Sequence, residues 1–166
     1  MKLLFIISTL FMTLGVRNEP ELSMLRGLFY KSAEDKTAAS KFFLLVANVN
    51  RNSTPLLICY KGVAEMMQAK HGFNPFNKLA RFNSGRMLIE QSICKDPDNL
   101  ELRFLRLSIQ SNLPSFLGYK SKIEADKNKL ITGLDQLKDI ELKEKIVNYL
   151  LASKYCTEAE LKISKI

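Results

Sequence analysis

Residues 85–99, GRMLIEQSICKDPDN, decide the fold because they join the end of an amphipathic helix to a strong stop signal. Gly85, Ile89 and Ser92 follow one another at intervals of four and three residues, which places them on one face of a helix. The DPDN segment that follows ends the helix, because proline cannot continue it and Asp and Asn favour turns. Small residues on a helix face let a neighbouring helix approach closely. We therefore expect a tightly packed helical hairpin at this point of the chain.

Other helices are marked by similar boundary signals. Thr54 and Asn74 each precede a proline, and a capping side chain followed by proline at the first helical position is typical of a helix start. Gly72 is expected to end the first of these two helices. Apolar residues at intervals of three and four positions mark the remaining helices. The predicted helices cover about residues 20–31, 33–48, 55–71, 75–94, 100–112, 123–134, 140–150 and 157–161.

Two capping boxes and two apolar segments complete the prediction. Ser32 with Asp35 and Thr157 with Glu160 have the spacing of capping boxes at helix starts. The helix after Pro75 is expected to bury an apolar face, and the charge-free bend after the next helix is expected to pack inward. The apolar residues expected inside these segments are Phe76, Leu79, Leu88, Ile89, Ile93, Phe116, Leu117 and Tyr119.

Composition and helix spacing indicate the fold class. The chain has 166 residues, of which 46% are apolar, with 7 glycines and 5 prolines. This length can bury one substantial core, and the composition favours helix over strand. Helices paired by short polar turns at a spacing of about 35 to 45 residues are typical of stacked helical hairpins. We predict an all-α fold of about seven or eight helices in stacked antiparallel hairpins, as one domain over residues 16–166.

The hairpin around Gly85 resembles a tetratricopeptide repeat. Residues 85–99 resemble the second helix and closing turn of that repeat, and residues 60–64, YKGVA, resemble its first helix. The interval of about 23 residues from Gly62 to Gly85 exceeds that of the standard repeat, so this hairpin is lengthened. The resemblance implies packed helical hairpins. It transfers no binding residue, because the helix after Asn99 carries apolar side chains where the repeat shows polar groove residues.

A longer stretch carries a second resemblance. Residues 96–119, DPDNLELRFLRLSIQSNLPSFLGY, are similar to a segment of uncharacterised exported bacterial proteins with tetratricopeptide-like helices. This similarity implies an exported compartment and a helical fold, and it supplies no activity.

The N-terminus has the pattern of a secretory signal peptide. Lys2 precedes an apolar run over residues 3–14, and Thr13 and Gly15 are small enough for the positions that a signal peptidase inspects. We expect residues 1–15 to be removed after Gly15, so that the protein is periplasmic or secreted. Two other interpretations are an uncleaved membrane anchor and a buried core helix. The run is short for a membrane span, and it has no polar face for a surface helix.

The charge of the chain favours some partners over others. The formal net charge is +8, and the basic excess is spread along the sequence. A nucleic-acid-binding protein normally concentrates such charge with stacking aromatic residues, so we expect no nucleic-acid partner. An evenly basic surface is compatible with an acidic protein or peptide partner and with weak association with an anionic membrane surface.

The sequence contains no recognisable catalytic, metal or cofactor constellation. Cys59, Cys94 and Cys156 lack metal-site spacing; Cys59 and Cys94 lie in apolar helical patterns and are expected to be buried thiols, with a Cys59–Cys94 disulfide as the alternative. His71 is the only histidine and is expected to stabilise a helix C-terminus. We predict no catalytic residue, metal or cofactor, although paired carboxylates assembled by the fold stay open as a possibility.

One polar stripe is the best candidate for binding. Asn99, Arg103, Arg106 and Gln110 lie at intervals of four, three and four residues and therefore share a helix face. Two arginines on such a face can bind a carboxylate or an acidic peptide, and the alternatives are a solvated face or structural ion pairs. The expected function is an exported helical-repeat interaction or scaffold protein without catalytic activity. A helical enzyme with an acid pair and a carrier of an apolar ligand are the alternatives.

Overall fold

The computed structural model describes residues 20–153, 156–157 and 161. These residues form seven α-helices and two short 3-10 turns, Ser115–Leu117 and Leu134–Gln136, and they contain no β-strand. The predicted all-α class is confirmed. The helices are α1 Leu22–Ser32, α2 Lys36–Leu45, α3 Pro55–His71, α4 Pro75–Lys95, α5 Leu100–Asn112, α6 Ile123–Gly133 and α7 Ile140–Ala152.

Helix starts follow the capping signals in the sequence, with one correction. Thr54 Oγ1 accepts a hydrogen bond from the backbone N–H of Leu57, and Asn74 Oδ1 accepts from two backbone N–H groups of α4. Asp35 itself is the N-cap of α2, whereas Ser32 belongs to α1 and donates to the carbonyl of Phe29. The predicted capping box from Ser32 to Asp35 is therefore wrong, because α1 continues through Ser32 and α2 begins only at Lys36.

The close hairpin predicted around Gly85 is present between α3 and α4. The backbones approach so closely that a Cβ atom on Gly85 would lie 2.5 Å from the carbonyl oxygen of Gly62. A Cβ atom on Gly62 would lie 2.7 Å from the carbonyl oxygen of Gly85. Real Cβ atoms do not approach an oxygen that closely, so the two glycines make this helix contact possible.

The core is built around α3 and α5. Consecutive helices from α1 to α6 pack against each other, and α3 also contacts α1 and α5. Most residues of α3 and of α5 between Glu101 and Gln110 are buried. The C-terminal helix α7 joins this core through its face that carries Leu142, Ile146 and Leu150. Helices buried on most of their circumference occupy the centre of a domain.

Several apolar residues expected in the core lie at the surface. Phe116 is 85% exposed, while Tyr119 from the same bend is buried, so the predicted inward packing holds for Tyr119 and is wrong for Phe116. The chain turns at Gly118, whose φ of 62° is favourable for glycine, and the bend can bury only part of its apolar residues. Phe76 and Leu79 at the start of α4 are also exposed.

Cys59 and Cys94 are free thiols. Cys59 and Cys156 are buried, and Cys94 is exposed. The prediction of a buried Cys59 is confirmed, and that of a buried Cys94 is wrong because α4 buries the adjacent Ile93. The alternative disulfide between Cys59 and Cys94 is not formed.

Two predicted segments lie wholly or mostly outside the residues that the structure describes. The predicted signal peptide, residues 1–15, is not covered, and most of the predicted helix after Thr157 is not covered either. Among the helices that the structure describes, none combines the length and apolarity needed to span a bilayer.

Candidate functional site

The polar face of α5 forms a buried ion cluster with α4 and α6. The Arg106 guanidinium donates to both carboxylate oxygens of Asp126, with Nε–Oδ2 and Nη2–Oδ1 distances of 2.7 Å. Its Nη1 donates to Glu90 at 2.6 Å, and Arg103 Nη1 donates to Asp126 at 3.1 Å. The Tyr119 hydroxyl donates to the other oxygen of Glu90 at 2.6 Å. We call these five residues the Arg106 cluster.

Each charge in the Arg106 cluster is matched by an opposite charge. Burial by itself would lower the pKa of Arg106, but the hydrogen bonds and charge of Asp126 outweigh it, and the pKa is raised. Burial, followed by the hydrogen bond to Glu90, raises the pKa of Tyr119. Arginine therefore stays charged and tyrosine neutral across the physiological range. A buried guanidinium with its carboxylates in contact is a structural arrangement, because its donors are already occupied.

A second cluster joins α1, α3, α5 and α7. Arg26 donates through Nε and Nη2 to the two oxygens of Glu101, each at 2.7 Å, and its Nη2 lies 2.9 Å from Asp139 Oδ2. The Tyr60 hydroxyl donates to Glu101 at 2.6 Å. We call these four residues the Arg26 cluster. It ties the first helix to the fifth and seventh across a long stretch of sequence.

The Arg26 cluster is held in one protonation state. The hydrogen bond to Glu101 is the main cause of the raised pKa of Arg26, and burial is the main cause of the raised pKa of Tyr60. The backbone N–H of Leu142, followed by Arg26, lowers the pKa of Asp139. Asp139 is the N-cap of α7, so one carboxylate both starts that helix and binds Arg26.

Arg26, Glu101 and Asp139 of the Arg26 cluster line an open cleft of about 790 Å³. The cleft lies between the N-terminal ends of α5 and α7 and the C-terminal half of α6. It is lined by Arg26, Asp98, Asn99, Leu100, Glu101, Lys129, Thr132, Gly133, Gln136, Leu137, Asp139 and Leu142. Its volume is within the range of ligand-binding clefts, and its lining mixes charged and apolar groups.

The carboxylates of the cleft are bound by cations, whereas Arg26 and Lys129 can still donate hydrogen bonds to a ligand. Glu101 and Asp139 bind Arg26, and Asp98 binds Lys129 at 2.6 Å. The Lys129 hydrogen bond lowers the pKa of Asp98, so this acid stays ionised near neutral pH. Arg26 uses only Nε and Nη2, and Nη1 has no hydrogen-bond partner among the described residues. The Lys129–Asp98 pair is exposed, and exposed pairs exchange easily with other partners.

The structure divides the predicted stripe between these two sites. Asn99 lines the cleft and caps α5 by accepting from the N–H groups of Glu101 and Leu102. Arg103 and Arg106 belong to the Arg106 cluster, where Arg103 also donates to the carbonyl of Pro97. Gln110 is fully buried, and its amide has no partner within the described part of the chain. The intramolecular ion pairs weighed as an alternative for this stripe are therefore present. As partner-binding residues, the four stay a prediction.

His71 ends α3, as the sequence suggested. Its Nε2 lies 2.8 Å from the carbonyl oxygen of Ser32 and donates to it. This contact joins the C-terminal ends of α1 and α3. Because the ring is occupied by a backbone group and lies away from the cleft lining, it gives no support to a catalytic histidine.

Sequence reasoning did not identify the Arg26 cluster. One signal was available, because Arg26 lies four residues after Leu22 and three before Phe29, on the apolar face of α1. Glu101 likewise lies four residues before Leu105 on a helix that is apolar around it. A charged residue on an apolar face indicates a buried partner, but the identity of that partner, 75 positions away, requires the fold.

Neither a metal site nor a similarity to a known protein adds to this geometry. Within the described ranges, no group of three or more His, Cys, Asp or Glu side chains is arranged to hold a metal ion. No family model, curated protein or solved structure matches this chain. The functional argument therefore rests on the cleft and the surfaces of the molecule.

Proposed function

We propose that the protein is an exported interaction module whose cleft binds an acidic segment of a protein partner, without catalysis. The observation that supports this proposal is the pairing of the charged side chains in the cleft. Its carboxylates are already bound by cations, while Arg26 keeps an unused donor edge and Lys129 is held only by an exposed pair. A guanidinium edge and a lysine that line the same cleft are suited to a carboxylate ligand.

The same groups weigh against the enzyme alternative. A general acid needs a carboxyl group whose pKa is raised toward neutrality, as burial away from cations would produce. The pKa values of Asp98 and Asp139 are lowered instead, and both acids contact cations. The carrier alternative calls for a closed apolar cavity, whereas this cleft is open and has charged walls.

A peptide-binding measurement tests the cleft. A fluorescent oligoglutamate peptide should bind the full chain, oligolysine should not, and binding should weaken with salt. Replacement of Lys129 by Gln should weaken binding about fivefold, the effect of roughly 1 kcal/mol from one exposed charge. The matched control is Lys138→Gln, an exposed lysine outside the cleft lining, which should bind as the parent does. Equal loss in both variants would show a general charge effect and would contradict the cleft as the site.

Export is part of the same proposal and has its own test. The signal-like pattern over residues 1–15 supports it, with cleavage after Gly15. Expression in a bacterial host followed by N-terminal sequencing of the periplasmic or secreted fraction should give a chain that begins at Val16. Recovery of the full chain in the membrane fraction would support the uncleaved anchor instead.

A further inference from the structure

The turn between α3 and α4 exposes an unusual group of large apolar side chains. Phe73 is 90% exposed, Phe76 82% and Leu79 53%. Phe76 and Leu79 are three residues apart in α4 and therefore share a face. We call residues 70–81 the hairpin tip. Large exposed apolar side chains grouped in this way are typical of a site that contacts a partner or a membrane.

The lengths of the helices explain why the tip is uncovered. Helix α4 has 21 residues, and the following helix α5 has 13. The difference of eight residues corresponds to about 12 Å, or two turns, by which α4 extends beyond its neighbour. Residues 73–80 are accordingly all exposed. The tip is a protrusion, whereas the cleft lies near the opposite end of α4, roughly 30 Å away.

The segment that forms the tip carries charge of a single sign. Residues 66–89 contain Lys70, Lys78, Arg81 and Arg86 and no Asp or Glu. Lys70, Lys78 and Arg86 are exposed, and Arg81 binds Glu65 at the edge of this region. Lys36 from α2 adds a further cation, with Nζ 4.8 Å from the centre of the Phe73 ring. The apolar protrusion therefore carries basic side chains and no acid of its own, while the acids Glu34 and Asp35 precede Lys36 in the neighbouring turn.

We propose that the hairpin tip docks on membranes that contain anionic phospholipids. Phe73, Phe76 and Leu79 enter the boundary between headgroups and acyl chains, while Lys70 and Lys78 contact lipid phosphates. An apolar protrusion whose own charged residues are all cations matches the two layers of such a surface, because its charges stay at the headgroups while the aromatic rings leave water. The charge complementarity favours this partner over a second copy of the chain, which would place basic tips against each other.

A tryptophan placed at the tip gives a local readout. The chain contains no tryptophan, so Phe73→Trp introduces the only one, and its signal is independent of any insertion by the apolar N-terminal run. The emission of Phe73→Trp should shift to the blue and be quenched by brominated acyl chains with phosphatidylglycerol vesicles, and not with pure phosphatidylcholine. The matched control is Leu44→Trp, an exposed position about 12 Å along α2 from Lys36, which should keep a solvent-exposed emission.

Charge variants of the Phe73→Trp protein test whether the lysines of the tip contribute to vesicle binding. Lys70→Gln with Lys78→Gln should weaken vesicle binding on the order of 25-fold, about fivefold for each basic residue near an anionic surface. Lys138→Gln should leave binding unchanged. Circular dichroism verifies that each variant is folded. The proposal is overturned if Phe73→Trp shows no shift, or if both tryptophans shift equally. It is also overturned if the shift appears with protein concentration alone, since that would identify self-association. None of these results bears on the peptide-binding cleft.

Discussion

The contact between Gly62 and Gly85 predicts opposite effects for the same substitution at different glycines. A Cβ atom on Gly85 would lie 2.5 Å from a backbone carbonyl and 2.7 Å from Met66 Cγ. Overpacking of this kind costs about 1–3 kcal/mol, and the backbone oxygen cannot move aside as a side chain could. Alanine regains up to about 1 kcal/mol of helix propensity. With the full propensity gain, we expect Gly85→Ala to lower the free energy of unfolding by up to about 2 kcal/mol.

The matched control is Gly27→Ala in the interior of α1. Apart from its chain neighbours and the backbone of its own helix, no atom lies within 4 Å of a Cβ at that position, so only the propensity gain remains. We expect Gly27→Ala to raise the free energy of unfolding by about 0.5–1 kcal/mol. Urea unfolding followed by circular dichroism measures both, and unchanged m-values show that the same transition is compared. If Gly85→Ala is as stabilising as Gly27→Ala, the close approach of α3 and α4 is wrong.

Two further predictions concern the buried ion clusters and the tyrosines. Asp126→Asn leaves Arg106 and Arg103 without their shared anion and should cost about 3–5 kcal/mol in urea unfolding, while Asp98→Asn in the exposed pair should have no measurable effect. Burial raises the pKa of Tyr30 to about 12 and raises those of Tyr60 and Tyr119 as well. These hydroxyls keep their protons in the folded state. Their contribution to the free energy of unfolding is therefore fully present below the unfolded tyrosine pKa of about 10, and it falls as the pH rises above that value. A pH titration of the folded protein, followed by tyrosinate absorbance, should therefore show that some tyrosines ionise only above about pH 10. Ionisation of all five tyrosines near pH 10 in the folded protein would contradict this.

The helix pattern was predictable because its signals are local. Thr54 with Pro55 and Asn74 with Pro75 specify the first turn of a helix through groups only two or three residues away. The Gly62–Gly85 contact could also be predicted from the sequence, because small residues at matching heights of adjacent helices have few roles other than close packing.

The exposed tip and the ion clusters were not predictable in the same way. The apolar spacing of Phe76 and Leu79 indicates a helix face, but burial of that face depends on how far the neighbouring helix extends. The pairing of Arg106 with Asp126 depends on the rotation of α6 against α5, which helical periodicity does not determine. Periodicity thus placed Arg103 and Arg106 on a common face and could not decide between solvent, a partner and an internal acid.

The two ion clusters together determine how the cleft is positioned. Glu101 and Arg106 both lie on α5, five residues apart, so they point to different sides of that helix. Glu101 binds Arg26 from α1, and Arg106 binds the carboxylates of α4 and α6. Buried ion pairs contribute little net stability compared with apolar packing, but each fixes the direction in which a helix can pack. Helix α5 therefore holds α1 and α6, which carry Arg26 and Lys129, on separate sides of itself. The two cations reach one cleft while their helices stay apart, which leaves that cleft open to a ligand.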